Sequence, residues 1–256
     1  MEKIRILHVL SRSGGTVISR CLGCMESVLL LSEIHPFGPA SPIKQAKRWF
    51  NAVTDLEEFQ ADVNKMPFVD QVELIHKKAG EMGKVLVIRD FTQMDFIGFK
   101  GARRERITPE YKSVLADKLS ARFEVVQFSV VRNPVDQWTS IQGVKGLRDG
   151  LVQDRFLTGA AMFALHAQQT GFVRYEDFVN DPDAAIQTIC IGLDIPFDSG
   201  YRDKWADYKT ISGDTKSEAF QAKEIKKQPE KPGRNDVAGK FATSKKYEIA
   251  RSIVGY

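Results

Sequence analysis

The fold of this chain is decided near its start, where residues 4–16 read IRILHVLSRSGGT. The apolar run is short and ends at a Ser/Gly turn, which predicts a buried strand at Ile4–Leu10. A helix is predicted after the turn, from Thr16 to about Ser27. A strand, a glycine turn and a helix in this order are typical of the first unit of an α/β sheet.

Apolar runs and helical segments alternate along the rest of the chain. Four further strands are predicted, at Val28–Ser32, Lys84–Arg89, Phe123–Arg132 and Gly171–Tyr175. Helices are predicted at 109–119, 134–142, 151–169, 181–192 and 244–254, and a helical insertion at about 41–82 with candidate buried positions Trp49, Phe50, Leu56 and Phe59. The alternation predicts an α/β fold with a mostly parallel central sheet of about five strands, flanked by helices.

The composition is that of an ordinary globular protein, with 256 residues, 43% apolar and 27% charged. One domain over 1–256 is expected for that length. The net charge of +4 does not argue for nucleic acid, and no apolar run approaches the roughly 20 residues of a membrane span. Residues 216–246 hold nine Lys or Arg and four Asp or Glu, which fits an anionic ligand or a solvated, flexible segment at about 213–243.

Three cysteines without a visible targeting segment favour a reducing compartment, and the cytoplasm is the predicted location. Cys21 and Cys24 form a CxxC pair, but neither a second pair nor a His pair at ligand spacing accompanies them. Both fall within a predicted helix among apolar residues, so they are interpreted as buried thiols. The sequence predicts no metal site.

The turn at Ser11–Thr16 is a candidate phosphate loop. It lies at the carboxyl end of a strand, where α/β sheets bind ligands, and it opens a helix whose N-terminus favours anions. Gly14 and Gly15 allow close approach of the backbone, and Arg12 adds a charge that can hold two oxygens. The Gly-Lys-Ser/Thr of a Walker A loop is missing, which disfavours an ATPase or GTPase.

Three segments, taken together, resemble one enzyme family. The loop resembles the 5′-phosphosulfate loop of sulfotransferases, and residues 130–140, VVRNPVDQWTS, resemble their 3′-phosphate motif of Arg-x-Pro with a Ser eight residues after the Arg. Residues 173–179, VRYEDFV, followed by Asp181-Pro182, resemble the family's RYEDL…DP segment. Because the segments occur in the family's order, the chain is identified as a member of the sulfotransferase superfamily with its P-loop NTPase-like fold.

The resemblance implies the co-substrate 3′-phosphoadenosine 5′-phosphosulfate (PAPS) and transfer of its sulfuryl group to a hydroxyl or amine of a small-molecule or saccharide acceptor. The residues that it implies for nucleotide binding are Arg12, Ser13, Gly14, Gly15, Thr16, Arg132, Ser140 and Tyr175. The segment Lys231–Arg234 loosely resembles the family's C-terminal loop over the 3′-phosphate.

The family resemblance leaves the catalytic base open. Many members place a His two residues after a basic residue that ends the third strand, but here Arg89 is followed at that distance by Phe91. Other members use a Glu after the second strand, which makes Glu33 the first candidate, ahead of His35 and Asp90. Arg12 and Arg89 are the candidates for stabilising charge on the reacting group.

Each candidate also has a purely structural interpretation. These are ion pairs of Arg89 with Asp90, Arg132 with Asp136 and Glu33 with Arg12, a core position for Tyr175, a loop position for His35 and a cap for Asp90. For the whole chain, a small-molecule kinase with an atypical phosphate loop and a non-catalytic nucleotide-binding module are the alternatives.

The acceptor is expected to lie over 35–82 and 91–108, where the family resemblance is weakest. Aromatic residues there could line an apolar pocket or belong to the core: Trp49, Phe50, Phe91, Phe96 and Phe99. Three arginines could attract an acidic acceptor or lie on a solvated loop: Arg103, Arg104 and Arg106. The oligomeric state has no signal in the sequence.

Overall fold

A computed structural model describes residues 1–51, 65–98, 108–213 and 215–256. Several sequence predictions fall outside the described residues and stay predictions: Leu56, Phe59, Phe99, Arg103, Arg104 and Arg106.

The centre of the molecule is a parallel sheet of five strands, which confirms the predicted fold class. The strands are β1 (Lys3–Val9), β2 (Val28–Ile34), β3 (Val85–Asp90), β4 (Glu124–Val131) and β5 (Phe172–Arg174), in the spatial order β2-β3-β1-β4-β5. Every neighbouring pair is parallel. From β1 the chain runs to the edge strand β2, returns to β3 beside β1, and then adds β4 and β5 on the other side. The direction of winding changes at β1, so its carboxyl end is the crevice where such sheets bind ligands.

Helices cover both faces of the sheet. The longer ones are α1 (Gly15–Gly23), α2 (Pro42–Phe50), α3 (Phe68–Glu81), α6 (Pro134–Gln142), α8 (Gln153–Thr170), α10 (Pro182–Gly192), α13 (Arg234–Phe241) and α14 (Lys245–Ile253). The short ones are α4 (Gln93–Phe96), α5 (Val114–Leu119), α7 (Lys145–Arg148), α9 (Tyr175–Asn180), α11 (Tyr201–Lys204) and α12 (Glu218–Gln221). In the described part of the chain, no helix has the length and apolarity to cross a bilayer.

Several helix boundaries differ from the sequence predictions. α1 ends at Gly23 rather than Ser27, because a turn from Leu22 to Met25 leads directly into β2. α5 begins at Val114, where the Ser113 side chain accepts the N–H of Ala116 as an N-cap. α13 was not expected, since its sequence carries little apolar periodicity.

The core explains why β1 is apolar almost throughout. Leu7 and Val9 point to one face and pack among residues of α1 and α10, whereas Ile4 and Ile6 point to the other face. All four are buried, as expected for a parallel sheet with both faces covered. A third cluster joins α6, α8 and α14 beside the end of β4.

The two cysteines near α1 are part of this packing. Cys21 is buried and Cys24 half-buried, and both are free thiols. Burial raises the pKa of Cys24 to about 11, so its thiol stays protonated at neutral pH.

The edge strand β2 is protected by a side chain of α2. The Gln45 amide accepts the N–H of Ser32 at 2.9 Å and donates to the Ser32 carbonyl at 2.7 Å. It therefore replaces the missing neighbouring strand at this position. One residue later the register shifts between Ser32 and Ile34, and Glu33 adopts a left-handed φ of 56°. Such a bulge changes the direction of a side chain, here that of the Glu33 carboxylate.

Candidate functional site

The turn between β1 and α1 has the backbone of an anion-binding loop. Arg12 and Gly14 both adopt left-handed φ angles, of 71° and 81°. A side chain at Gly14 would place its Cβ 2.2 Å from a ring carbon of Tyr175, so the position requires glycine. Gly14 caps α1 without a side-chain hydrogen bond, which leaves N–H groups of the first turn to bind an anion. Ser13 is buried beneath the turn, and Thr16 is half-buried in the first turn of α1.

The Arg132/Ser140 motif contacts this loop directly. Arg132 Nη1 donates to the Arg12 carbonyl at 2.7 Å, and Arg12 Nε donates to Ser140 Oγ at 2.9 Å. Gln137, on the same helix as Ser140, donates to the Ser11 carbonyl at 2.8 Å. Two segments that lie 120 residues or more apart in sequence therefore form one cluster.

Tyr175, the residue after β5, also belongs to this cluster. Its ring lies under the Arg132 guanidinium, with the guanidinium carbon 4.7 Å from the ring centre, and touches Gly14. Burial raises the pKa of Tyr175, which keeps the phenol neutral. It begins α9 rather than ending β5 as predicted. Within the described residues, Arg132 Nε is buried without a hydrogen-bond partner, so the cluster retains an unused cationic donor.

The basic C-terminal segment reaches this cluster. Arg234 Nε binds Asp136 at 2.6 Å, so the alternative interpretation of Arg132 as an ion-pair partner of Asp136 does not hold. Burial lowers the pKa of Lys231, and the nearby charges of Arg12 and Arg132 lower it further. An ammonium group held near two guanidinium groups favours an anion between them.

Arg89, at the end of β3, lies on the other side of the loop. Its Nη2 donates to Glu33 Oε1 at 2.6 Å, so its ion pair is with Glu33 and the alternative pairing with Asp90 does not hold. Glu33 is in an ion pair, as its structural interpretation proposed, but the partner is Arg89 rather than Arg12. Arg89 Nε is buried, has no hydrogen-bond partner among the described residues, and would lie 3.3 Å from a Cβ at Gly15. A second unused cationic donor therefore faces the start of α1.

Glu33 is the candidate base that solvent can reach. Its side chain keeps 29% of its surface exposed, while Arg89 and Ser212 hold its two oxygens. Ser212 Oγ donates to Glu33 Oε2 at 2.7 Å. Two lone-pair sites remain on the carboxylate, because each oxygen can accept twice.

The other two candidate bases are buried. His35 is 3% exposed, with Nε2 bonded to Asp95 at 2.9 Å while Nδ1 accepts the N–H of Phe37 at 3.1 Å. Asp90 is 1% exposed and contacts His8 Nδ1 at 2.9 Å. Both side chains are therefore closed off from solvent, whereas the Glu33 carboxylate is partly exposed.

Ser212 and Gln137 are site residues that sequence reasoning missed. Gln137 lies three residues before Ser140 on α6, and this helical spacing was a usable signal. Ser212 follows an irregular stretch without periodicity, so no sequence pattern points to it. Where the chain is described, no group of three His, Cys, Asp or Glu side chains is placed to hold a metal ion.

Two solved structures resemble this chain over nearly its whole length. The sulfotransferase domain from the Synechococcus PCC 7002 olefin synthase is 17% identical with a TM-score of 0.56, covering 95% of each chain. The sulfotransferase domain from the curacin biosynthetic pathway is 14% identical with a TM-score of 0.56, covering 100% of this chain and 98% of the other. No protein-family model and no curated protein sequence matches the chain. The likeness in structure confirms the predicted fold: this chain has the sulfotransferase fold.

Proposed function

We propose that this chain is a sulfotransferase that moves a sulfuryl group from PAPS to a hydroxyl or amine of a small-molecule or saccharide acceptor. The single observation that carries the proposal is the contact of Arg132 and Ser140 with the loop residue Arg12, at 2.7 and 2.9 Å. The Arg12 loop and the Arg132/Ser140 motif, joined in this way, suit one nucleotide that carries phosphate groups on both its 3′ and its 5′ oxygen.

The donors of the site suit such a ligand. The buried Nε groups of Arg132 and Arg89 have no hydrogen-bond partner within the described residues, and a buried donor without an acceptor costs free energy that a bound anion would recover. On the Arg132 side, Ser140 and Lys231 add donors for the 3′-phosphate. On the Arg89 side, the loop N–H groups and Arg12 suit the 5′-phosphosulfate. Tyr175 offers a ring face near Arg132, suitable for the adenine.

The reaction needs one base and several positive groups. The acceptor oxygen loses its proton to Glu33 and forms a bond to sulfur, and the bond from sulfur to the bridging phosphate oxygen breaks. The electron pair of that bond stays on the departing 3′-phosphoadenosine 5′-phosphate, where Arg12 and Arg89 stabilise the developing charge. Sulfuryl groups carry a single negative charge, so arginines can supply this stabilisation.

Binding and transfer test the proposal separately. Isothermal titration with 3′-phosphoadenosine 5′-phosphate should show tight binding, and titration with ATP and Mg²⁺ should show much weaker binding. Transfer of ³⁵S from labelled PAPS to a panel of phenols, alcohols, amines and saccharides then tests activity. Tight binding of ATP with Mg²⁺ alone would identify a kinase-like site, and bisphosphate binding without transfer to any acceptor would identify a non-catalytic module.

The proposal extends to location and organisation. Free thiols at three cysteines suit a reducing compartment, and we place the protein in the cytoplasm on that ground. We also propose that residues 1–256 act as one domain, since sheet contacts join β1 to both β3 and β4.

A further inference from the structure

The hydroxyl of Ser212, in the irregular segment between α11 and α12, reaches the carboxylate of Glu33 on the edge strand β2. Ser212 Oγ lies 2.7 Å from Glu33 Oε2 and 2.8 Å from Ser32 Oγ. Resting on the proposed function, we infer that Ser212 is a positioning residue, which orients Glu33 to accept the proton of the acceptor.

The direction of each hydrogen bond follows from the number of protons available. A serine hydroxyl has one proton, and the proton of Ser212 is donated to the Glu33 carboxylate. Ser32 must then donate its own proton to Ser212. Ser32 Oγ in turn accepts a long hydrogen bond from Arg89 Nη1, at 3.4 Å.

These bonds form a ring that begins and ends on one ion pair. Arg89 reaches Glu33 Oε1 directly and Oε2 through two hydroxyls. The direction cannot reverse, because a guanidinium group accepts no hydrogen bond. The ring therefore places one hydrogen bond on each carboxylate oxygen and leaves the remaining lone pairs for a proton from outside. Without Ser212, only the hydrogen bond from Arg89 to Oε1 holds the Glu33 carboxylate, and the carboxylate can then rotate.

Arg20 fixes the segment that carries Ser212. This arginine of α1 is fully buried, and its guanidinium stacks 4.8 Å from the ring centre of Trp205. It donates to the carbonyl oxygens of Trp205, Ala206, Tyr208, Ala219 and Ala222. The carbonyls lie on both sides of Ser212 in sequence, so the helix that starts at the phosphate loop also sets the position of Ser212.

Substitutions at Ser212 test the inference by turnover. Ser212→Ala should lower kcat by about 10- to 100-fold, because a misplaced catalytic group slows the reaction without weakening nucleotide binding. The bisphosphate Kd should stay within about twofold of wild type. Ser212→Thr retains the hydroxyl and should restore most of the rate. Ser217→Ala, which removes an N-cap in the same segment, should leave kcat near wild type.

A second measurement needs no activity. Urea midpoints of Ser212→Ala, Glu33→Ala and the double variant form a cycle, and the double variant should lose less than the sum of the two single losses. The cycle of Ser217→Ala with Glu33→Ala should be additive. Additive losses in the Ser212 cycle, or a wild-type kcat in Ser212→Ala, would overturn the inference. A coupled cycle in a protein that transfers no sulfuryl group would instead overturn the proposed function and leave the Ser212–Glu33 pairing in place.

Discussion

Replacing Arg132 by methionine removes one charge and leaves an unbranched, shorter apolar side chain. In the structure this guanidinium uses Nη1 on the Arg12 carbonyl and lies over Tyr175, while its Nε is buried without a partner in the described residues. Losing a charged partner from such a desolvated site costs about 2–4 kcal/mol of binding free energy. The Kd for 3′-phosphoadenosine 5′-phosphate should therefore rise by about 30-fold to nearly 1,000-fold.

Isothermal titration calorimetry measures this change, and two further variants interpret it. Arg132→Lys keeps the charge but not the fork of donors, so its Kd should lie between those of wild type and Arg132→Met. Arg122→Met is the matched control, since Arg122 is 53% exposed and pairs only with surface carboxylates in the described chain. The reasoning is refuted if Arg132→Met folds normally and binds the bisphosphate within about threefold of wild type.

Three further predictions concern the base, the loop and the half-buried His166 of α8. Glu33→Gln should bind the bisphosphate normally and lower kcat by about 10²- to 10⁴-fold, whereas normal turnover would assign the proton to another group. Gly14→Ala should cost about 1–3 kcal/mol of unfolding free energy in urea, because its Cβ would meet Tyr175 and its φ is 81°. Gly239→Ala, a helical position with open space around it, should not destabilise, and equal losses at both glycines would contradict the steric argument. Burial, reinforced by the neighbouring His8, lowers the pKa of His166 to about 3. The unfolded chain therefore binds more protons than the folded chain between pH 3 and about 6.5. The free energy of unfolding falls as the pH drops through that window. At pH 5 the loss of unfolding free energy from this group is at most about 2 kcal/mol. Urea unfolding of His166→Phe at pH 7 and pH 5 should show that most of this loss is gone. An unchanged pH dependence would exclude His166 as its source.

Local patterns in the sequence were sufficient to predict the strands of the sheet and the two basic motifs. The run at Ile4–Leu10 and the turn after it predicted β1, the loop and α1, since short apolar runs and glycine turns act through neighbouring residues. The spacing of Arg132 and Ser140 around Pro134 predicted a strand end and a helix, and the structure has both.

The partners of charged side chains could not be predicted in the same way. The sequence suggested Asp90 for Arg89 and Asp136 for Arg132 because those carboxylates are near in the chain. Arg89 instead binds Glu33, 56 residues away, and Asp136 binds Arg234, 98 residues away. A side chain at a strand end meets whichever group the neighbouring strand or a returning segment presents, and that depends on sheet order.

By itself, the sequence determined the α/β alternation, the glycine turn after β1 and the positions of Arg12 and Arg132 at strand ends, since each depends on periodicity and backbone preference over a few residues. Only the tertiary structure decided that β1 lies between β3 and β4, that Arg12 bonds to Ser140, and that Ser212 crosses to the bulge at Glu33. Such contacts join segments that are distant in sequence, so they are set by strand order, by burial and by hydrogen bonds such as those of Arg20, which no local pattern encodes.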